Sequence, residues 1–252
     1  MKFVSEKVIR RPMENIHLEL LRNFPLFSPL TDGELLQNRE RITIKEFVRN
    51  EVILREEDTN AFMYIILTGR VKVAQVTEDG KEVILALHRS DDFFGEISLI
   101  DGKTAPATVV ATEHSLIALI SKDNFRFLLV NHPKVLEKLL EILCARLRDA
   151  WKGIHLLNKR SAFERMKMLF LLFAHRHGLQ TPEGVIVNVG LTHQEIASMA
   201  GLTRESVTRV LDRWKRDGEI TVLQDKSIRL SSTFFRSERD AGHRARVLRT
   251  VL

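Results

Sequence analysis

Thr192-His193-Gln194-Glu195-Ile196-Ala197-Ser198-Met199-Ala200-Gly201-Leu202-Thr203-Arg204-Glu205-Ser206-Val207-Thr208-Arg209-Val210-Leu211-Asp212-Arg213-Trp214 carries the strongest structural signal in the chain. Thr192 and Glu195 have capping-box spacing, so each can satisfy the other's backbone amide and open a short helix with Ile196, Met199 and Ala200 inward. Gly201 supplies a turn, Thr203 a second cap, and a longer helix follows over 204–217. Short helix, glycine turn and longer helix make a helix-turn-helix. At 100° per residue from Arg204, the side chains of Thr208, Asp212, Glu205 and Arg209 fall at about 40° to 140°, whereas Val210, Trp214, Val207 and Leu211 fall at about 240° to 340°. An apolar arc therefore opposes one bearing two arginines and a glutamate. Arginine can bind guanine O6 and N7 bidentately, and glutamate can accept from cytosine N4, so this arc suits base reading. An ordinary amphipathic helix with intrahelical ion pairs is the competing reading.

Outward from this core, residues 219–223 and 227–230 flank Gln224-Asp225-Lys226 and predict a β-hairpin, a wing carrying Lys226. Upstream, Ser161-Ala162-Phe163-Glu164 is another capping box and opens a helix through Ala174. Before it, Leu136, Leu140, Leu143, Leu147, Ala150, Ile154 and Leu157 repeat at 4-3 spacing, the narrow seam of a coiled coil. Such a seam needs a partner, either a second copy about a twofold axis or this chain's own β domain. Cys144, beside Leu143, is expected to be half-buried.

Residues 42–120 hold short runs rich in β-branched residues, such as Met63-Tyr64-Ile65-Ile66-Leu67, Val71-Lys72-Val73 and Ala107-Thr108-Val109-Val110. Thr68-Gly69, Asp79-Gly80 and Asp101-Gly102 punctuate them as turns, predicting an antiparallel sandwich or jelly roll behind a helical arm at 14–21. Within it, Asp92-Phe93-Phe94-Gly95-Glu96-Ile97-Ser98-Leu99-Ile100 is either a site presenting backbone amides and a carboxylate, or a strand ending in a tight turn. The fold class is thus α+β: an N-terminal antiparallel β jelly roll, a long dimerisation helix and a C-terminal winged helix-turn-helix.

Charge sharpens the division. Residues 1–133 carry 17 Lys and Arg against 20 Asp and Glu, and residues 134–252 carry 22 against 13, giving a formal −3 and +9. A basic half suits a polyanion, since phosphate contacts dominate nucleic-acid affinity. A single cysteine cannot make an internal disulfide, a multi-Cys zinc site or a cysteine-ligated iron–sulfur cluster. No His-Glu-x-x-His, Walker loop or nucleophile elbow is present, so metal, haem and enzymatic chemistry are not expected. The longest apolar run, residues 168–174, is far below the roughly 20 needed to cross a bilayer, and with no leader-like start the chain is expected in the cytoplasm.

Over roughly residues 20–231 the chain resembles the CRP/FNR superfamily of bacterial transcription regulators. The likeness rests on Phe94-Gly95-Glu96-Ile97-Ser98-Leu99, Ala107-Thr108-Val109, the long helix, Thr192-His193-Gln194-Glu195-Ile196-Ala197 and Arg204-Glu205-Ser206-Val207-Thr208-Arg209. It implies an N-terminal arm (1–20), a cyclic-nucleotide-binding-like sensor (21–133), a dimerisation helix (134–158), a winged helix-turn-helix (159–231) and a basic tail (232–252), the last expected as a solvated extension. By that likeness Arg204 and Arg209 read guanines and Glu205 a cytosine edge in a TGTGA-like palindrome, while His193, Thr203, Ser206 and Lys226 touch phosphates. His193 replaces a family arginine. The implied effector pocket draws on Gly95, Glu96, Ile97, Ser98, Lys103, Thr108, Ala150 and Trp151. Cyclic-AMP-responsive relatives carry an arginine where this chain has Ala105, or Pro106 if shifted by one, and family turn glycines appear as Glu56 and Asp91. Cyclic AMP is therefore not the expected ligand. The implied partners are double-stranded DNA, a second copy, RNA polymerase and an unidentified small effector, with no membrane. A true cyclic-nucleotide sensor and an effector-independent regulator are the alternatives.

Overall fold

The computed structural model describes residues 22, 24–38, 41–188 and 190–236. The predicted arm helix at 14–21 and the tail beyond 236 lie outside them. The chain separates into two compact units that divide between Arg148 and Asp149.

The first unit opens on a 3-10 turn, Pro25–Phe27, and helix α1, Asp32–Asn38, whose Thr31 and Glu34 side chains hydrogen-bond each other at 2.7 Å. Two antiparallel four-stranded sheets follow. One has the order β1 (Ile42–Phe47), β8 (Ser115–Ser121), β3 (Phe62–Thr68), β6 (Phe93–Phe94). The other has the order β2 (Val52–Leu54), β7 (Thr108–Ala111), β4 (Arg70–Val76), β5 (Glu82–Arg89). Strand residues alternate faces, which explains the unbroken apolar run on β3. Tyr64 and Ile66 pack into the core with Val71, Phe94, Ala105, Val109 and Leu119. Met63, Ile65 and Leu67 enter a second core with Phe24, Leu99, Phe125, Leu128, Val135 and Leu139. Helices α2 (Glu96–Asp101) and α3 (Lys122–Asn131) contribute to that second core.

Two local expectations are corrected here. Asp79-Gly80 does turn the β4–β5 hairpin, with Gly80 at φ 78°. Asp101-Gly102 instead ends α2, Gly102 donating its N–H to Ser98 O at 3.1 Å from the left-handed region. Of the positions expected to replace turn glycines, Asp91 has φ 73°, but the left-handed residue near Glu56 is its neighbour Glu57, at φ 66°.

Helix α4 (Pro133–Leu157) crosses the division between the units. Its Val135 and Leu139 are buried in the sandwich-side core, with Ile142 and Leu143 packed against it. The rest of the predicted seam faces solvent in the single chain: Leu136, Leu140, Leu147, Ile154 and Leu157 are 39–59% exposed, and Trp151 is 59% exposed. Ala150 is exposed too, and Cys144 is exposed rather than half-buried, because it lies on neither apolar stripe.

In the second unit α5 (Ala162–His177) starts at the predicted Ser161/Glu164 capping box. An antiparallel sheet of order β11 (Ile220–Val222), β12 (Ile228–Leu230), β10 (Gly184–Val187), β9 (Gly178–Thr181) extends the expected wing by a second hairpin. Helices α6 (His193–Ala200) and α7 (Arg204–Arg216) bury Ile196, Ala197, Ala200, Val207, Leu211 and Trp214 in one core with Met166, Phe170 and Leu230. The chain past the wing is not wholly a solvated extension. Residues Ser232–Arg236 form α8, which places Phe234 at 0% exposure with its ring 5.1 Å from that of Trp214.

Candidate nucleic-acid interface

Two caps fix the start of each helix in the helix-turn-helix. The Thr192 hydroxyl accepts from Glu195 N at 3.2 Å while the Glu195 carboxylate accepts from Thr192 N at 2.8 Å. Thr203 Oγ1 accepts from Ser206 N at 3.2 Å and donates to Ser206 Oγ at 3.1 Å, so two of the expected phosphate-contacting hydroxyls lie together at the start of α7. Between the helices Gly201 has φ 60° and ψ 44°. Arg165 clamps this turn, donating from Nη1 to Gly201 O at 3.0 Å and from Nε to Lys159 O at 3.0 Å.

The α7 wheel is realised residue by residue. Val207, Val210, Leu211 and Trp214 are buried, and Arg204, Glu205 and Arg209 are exposed. Among the described residues neither Arg204 nor Arg209 makes an ion pair within 4 Å, although the competing reading of the helix needs such pairs. The ion pairs of this helix are instead Arg213 with Asp217 and Lys215 with Asp212, past its first two turns. The Glu205 carboxyl is held below its usual range by its own backbone N–H and the Thr203 hydroxyl, so it remains an acceptor at neutral pH. An acid in the first turn and Arg213, Lys215 and Arg216 in the last also complement the helix dipole.

His193 is positioned by a contact that the sequence did not reveal. Its Nδ1 lies 2.9 Å from Thr208 Oγ1, while that hydroxyl donates to Arg204 O at 3.0 Å. A hydroxyl has one proton, so Nδ1 carries the hydrogen of the first contact and Nε2 is left for another partner. The wing presents Lys226, exposed and at φ 65°, in a turn closed by Lys226 N to Leu223 O at 3.0 Å. Asp225, held below its usual range by the Ser227 hydroxyl and amide, locks that turn.

Residues 44–132 match the family model for the cyclic nucleotide-binding domain, and residues 164–232 match that for the Crp-like helix-turn-helix domain. The chain belongs to the CRP/FNR superfamily. A CRP-like cAMP-activated global transcriptional regulator of Mycobacterium tuberculosis is 28% identical over 217 residues, 85% of this chain and 96% of that one. A global nitrogen regulator of Synechococcus elongatus is 27% identical over 81% of this chain and 90% of its own. Among solved structures, a mutant of CooA from Carboxydothermus hydrogenoformans shares the fold at TM-score 0.68 and 22% identity, covering 79% of this chain and 88% of that one. FixK2 from Bradyrhizobium japonicum does so at TM-score 0.66 and 24% identity, covering 75% and 92%.

The effector-pocket candidates of this CRP/FNR member do not form one open set. Gly95, at φ 86°, starts α2, and Asn60 Nδ2 ties Gly95 O at 2.8 Å to Ser98 Oγ at 3.1 Å. A Cβ at Gly95 would meet Phe62 O at 2.7 Å. Glu96 is buried, and its Oε1 accepts from Arg146 Nη1 at 2.8 Å. Arg146 also donates to Phe93 O and lies 4.1 Å over the Phe93 ring. Neither Arg146 nor Asn60 was singled out from sequence, although Arg146 lies seven residues after Leu139 on the sandwich side of α4. Ile97 and Lys103 are exposed, and Thr108 Oγ1 accepts from Glu56 N at 3.1 Å. Ala150 and Trp151 belong to the other compact unit. Ala105, in the place of the family arginine, is 1% exposed, with its backbone bonded to Asp58 O and Glu57 N. Among the described residues no helix is long and apolar enough to cross a membrane.

Proposed function

We propose that the protein is a homodimeric, sequence-specific DNA-binding transcription regulator that reads a TGTGA-like palindrome and responds to an effector other than cyclic AMP. One observation carries the reading: Arg204, Glu205 and Arg209 are exposed on one arc of α7 with its opposite arc locked in the core. Thr203, Ser206, His193 and Lys226 supply phosphate contacts, which position the helix without specifying sequence. The open seam on α4 favours a second copy as its partner, and two half-sites about 34 Å apart then match the twofold. RNA polymerase is the further partner of such a regulator, and the cytoplasm its place of work.

The Glu96–Arg146 pair favours a second reading, in which the sensor acts without a ligand. The carboxylate of Glu96, one of the expected effector-pocket residues, already has a cation at 2.8 Å. Ala105 offers no side-chain cation for a phosphate, and an unpaired buried charge costs several kcal/mol.

Selection of bound duplexes from a random pool by the purified chain tests the main reading. A palindrome with TGTGA-like arms is expected, and Arg209→Ala should cost roughly 1–3 kcal/mol on it while relaxing one guanine. Equal loss on every sequence would remove Arg209 from base reading. Calorimetric titration with cyclic nucleotides separates the effector readings: no heat with cyclic AMP, and tight operator binding by ligand-free protein if the sensor is ligand-independent.

A further inference from the structure

We propose that His193 is a proton-dependent phosphate clamp: binding to duplex draws a second proton onto its ring, so the chain grips DNA more tightly as pH falls through neutrality. The inference rests on the DNA-binding reading above and adds proton regulation to that same surface.

The first support is that the neutral ring has nothing left to donate. Thr208 Oγ1 spends its single proton on Arg204 O at 3.0 Å, so the 2.9 Å contact between Oγ1 and His193 Nδ1 uses the hydrogen on Nδ1. A neutral imidazole carries one N–H, and Nε2 then presents only a lone pair. A lone pair repels a phosphate oxygen and cannot hydrogen-bond to it. A second proton, on Nε2, makes the ring a donor and a cation together. Arginine, the family residue at this place, needs no such step because it keeps its charge.

The second support is the charge around the ring. Among the described residues the histidine–carboxylate pairs within 4 Å are His88 with Asp92, His114 with Glu46 and His132 with Glu34, and His193 is in none of them. On its own helix, the Glu195 carboxylate accepts from Thr192 N. Helices α5 and α7 pack against α6. On α7, Asp212 pairs with Lys215, the Glu205 carboxyl takes the Thr203 hydroxyl, and Arg204 and Arg209 add like charge. On α5, Glu164 caps Ser161, Arg165 holds Gly201 O, Lys167 pairs with Glu219 and Arg176 with Asp149. A duplex phosphate supplies the anion that these groups withhold, and a charge-assisted hydrogen bond to it keeps the second proton in place.

The test measures affinity for a duplex with two TGTGA-like arms, from about pH 8 to pH 6, in the intact chain, His193→Gln, His193→Arg and His175→Gln. His175, an exposed histidine of α5, is the control. Intact affinity should rise by up to about tenfold per subunit for each unit fall in pH. Below the ordinary imidazole value of about 6.5, the slope of log affinity against log salt should steepen by about 0.9 per subunit. His175→Gln should follow the intact chain. His193→Gln should match it at the alkaline end and lose the rise, and His193→Arg should stay at the level the intact chain reaches at the acid end. Base discrimination should be the same in all four, because a phosphate contact carries no sequence information. Calorimetry in two buffers of different ionisation enthalpy should count up to about one proton taken up per subunit by the intact chain and none by His193→Gln. If the intact chain and His193→Gln follow pH alike, or the intact chain shows no buffer-dependent heat, the inference fails while DNA binding stands. A loss in His193→Gln that is equal at every pH means that the neutral ring already donates to phosphate, with Thr208 donating to Nδ1, and overturns it too. Loss of the rise in His175→Gln moves the proton to α5 and does the same. An intact chain that binds no duplex at any pH overturns the DNA-binding reading and this inference together.

Discussion

Removing Arg146 from the sandwich tests whether its pair with Glu96 holds the sensor's interior together. The Glu96 side chain is 3% exposed and that of Arg146 23%, with the charges 2.8 Å apart. Deleting the cation leaves a buried carboxylate without its partner, a loss of about 3–5 kcal/mol. The lost stacking on Phe93 adds about 0.5–1 kcal/mol. Glu96→Gln should cost less, about 1.5–3 kcal/mol, because Arg146 keeps some contact with water and still donates to Phe93 O. In the double variant no buried charge is orphaned, so the sum of the single losses should exceed the double loss by about 2 kcal/mol. Urea unfolding can follow the units separately: the one tyrosine, Tyr64, is in the sandwich core, and both tryptophans, Trp151 and Trp214, are in the other unit. The tyrosine transition should shift and the Trp214-dominated transition should not. Additivity within about 0.5 kcal/mol would refute the coupling argued here.

Phe234→Ala should destabilise the DNA-binding unit by about 3–5 kcal/mol, read from the tryptophan transition in urea, because the ring fills a fully buried site against Trp214. Leu140→Lys with Leu147→Lys should leave each sandwich folded but yield a monomer in sedimentation, since both side chains are about half exposed in the single chain. A dimer that persists would move the self-association surface elsewhere. The Tyr64 phenol, pushed up to about 12 by burial and by the Asp58 charge, should ionise late in alkaline titration. The unfolded phenol ionises near 10, so the native state holds the proton longer and stability should fall as pH rises from about 10 to 12. At the acid end, Glu164 and Glu205 are held low by helix-start hydrogen bonds, so their stabilisation is present above the ordinary carboxylate range and lost as pH falls through their lowered values. Between pH 7 and below pH 4 the urea midpoint should therefore fall further in wild type than in Glu164→Gln, and an equal fall in both would show that the capping charge contributes nothing.

What the sequence disclosed was whatever depends on local rules. Capping boxes at Ser161 and Thr192, the Thr203 cap and the α7 wheel follow from spacing over a few residues, and each recurs in the structure. The β9–β10 hairpin carries its own local signals in Pro182-Glu183-Gly184 and Val185-Ile186-Val187, set between two helical segments. The Asp101-Gly102 signal was ambiguous by nature, because a left-handed glycine ends a helix as readily as it turns a hairpin. The Glu96–Arg146 and His193–Thr208 contacts join residues 50 and 15 positions apart, and α8 owes its burial to Trp214. Nothing in local spacing encodes such pairs.

The long helix explains why the DNA-reading half was legible and the sensing half was not. Its two apolar stripes have the same residue types at overlapping spacing, so a heptad count alone cannot tell which is already covered. The sandwich covers Val135 and Leu139, and Arg146 continues that stripe with a charge whose partner lies on α2. The other stripe, from Leu136 to Leu157, is left open. A polar residue in an apolar stripe is where register becomes specific, because only one placement satisfies the charge. Arg146 therefore fixes the rotation of α4 against the sandwich, and with it the direction in which the open seam points. Along the chain the sandwich is joined to α7 through that helix, so a variant that loses the Glu96–Arg146 pair loses the register that ties the helix to the sandwich. An effector would switch the protein only by favouring one arrangement over another, since a ligand indifferent to both shifts no population.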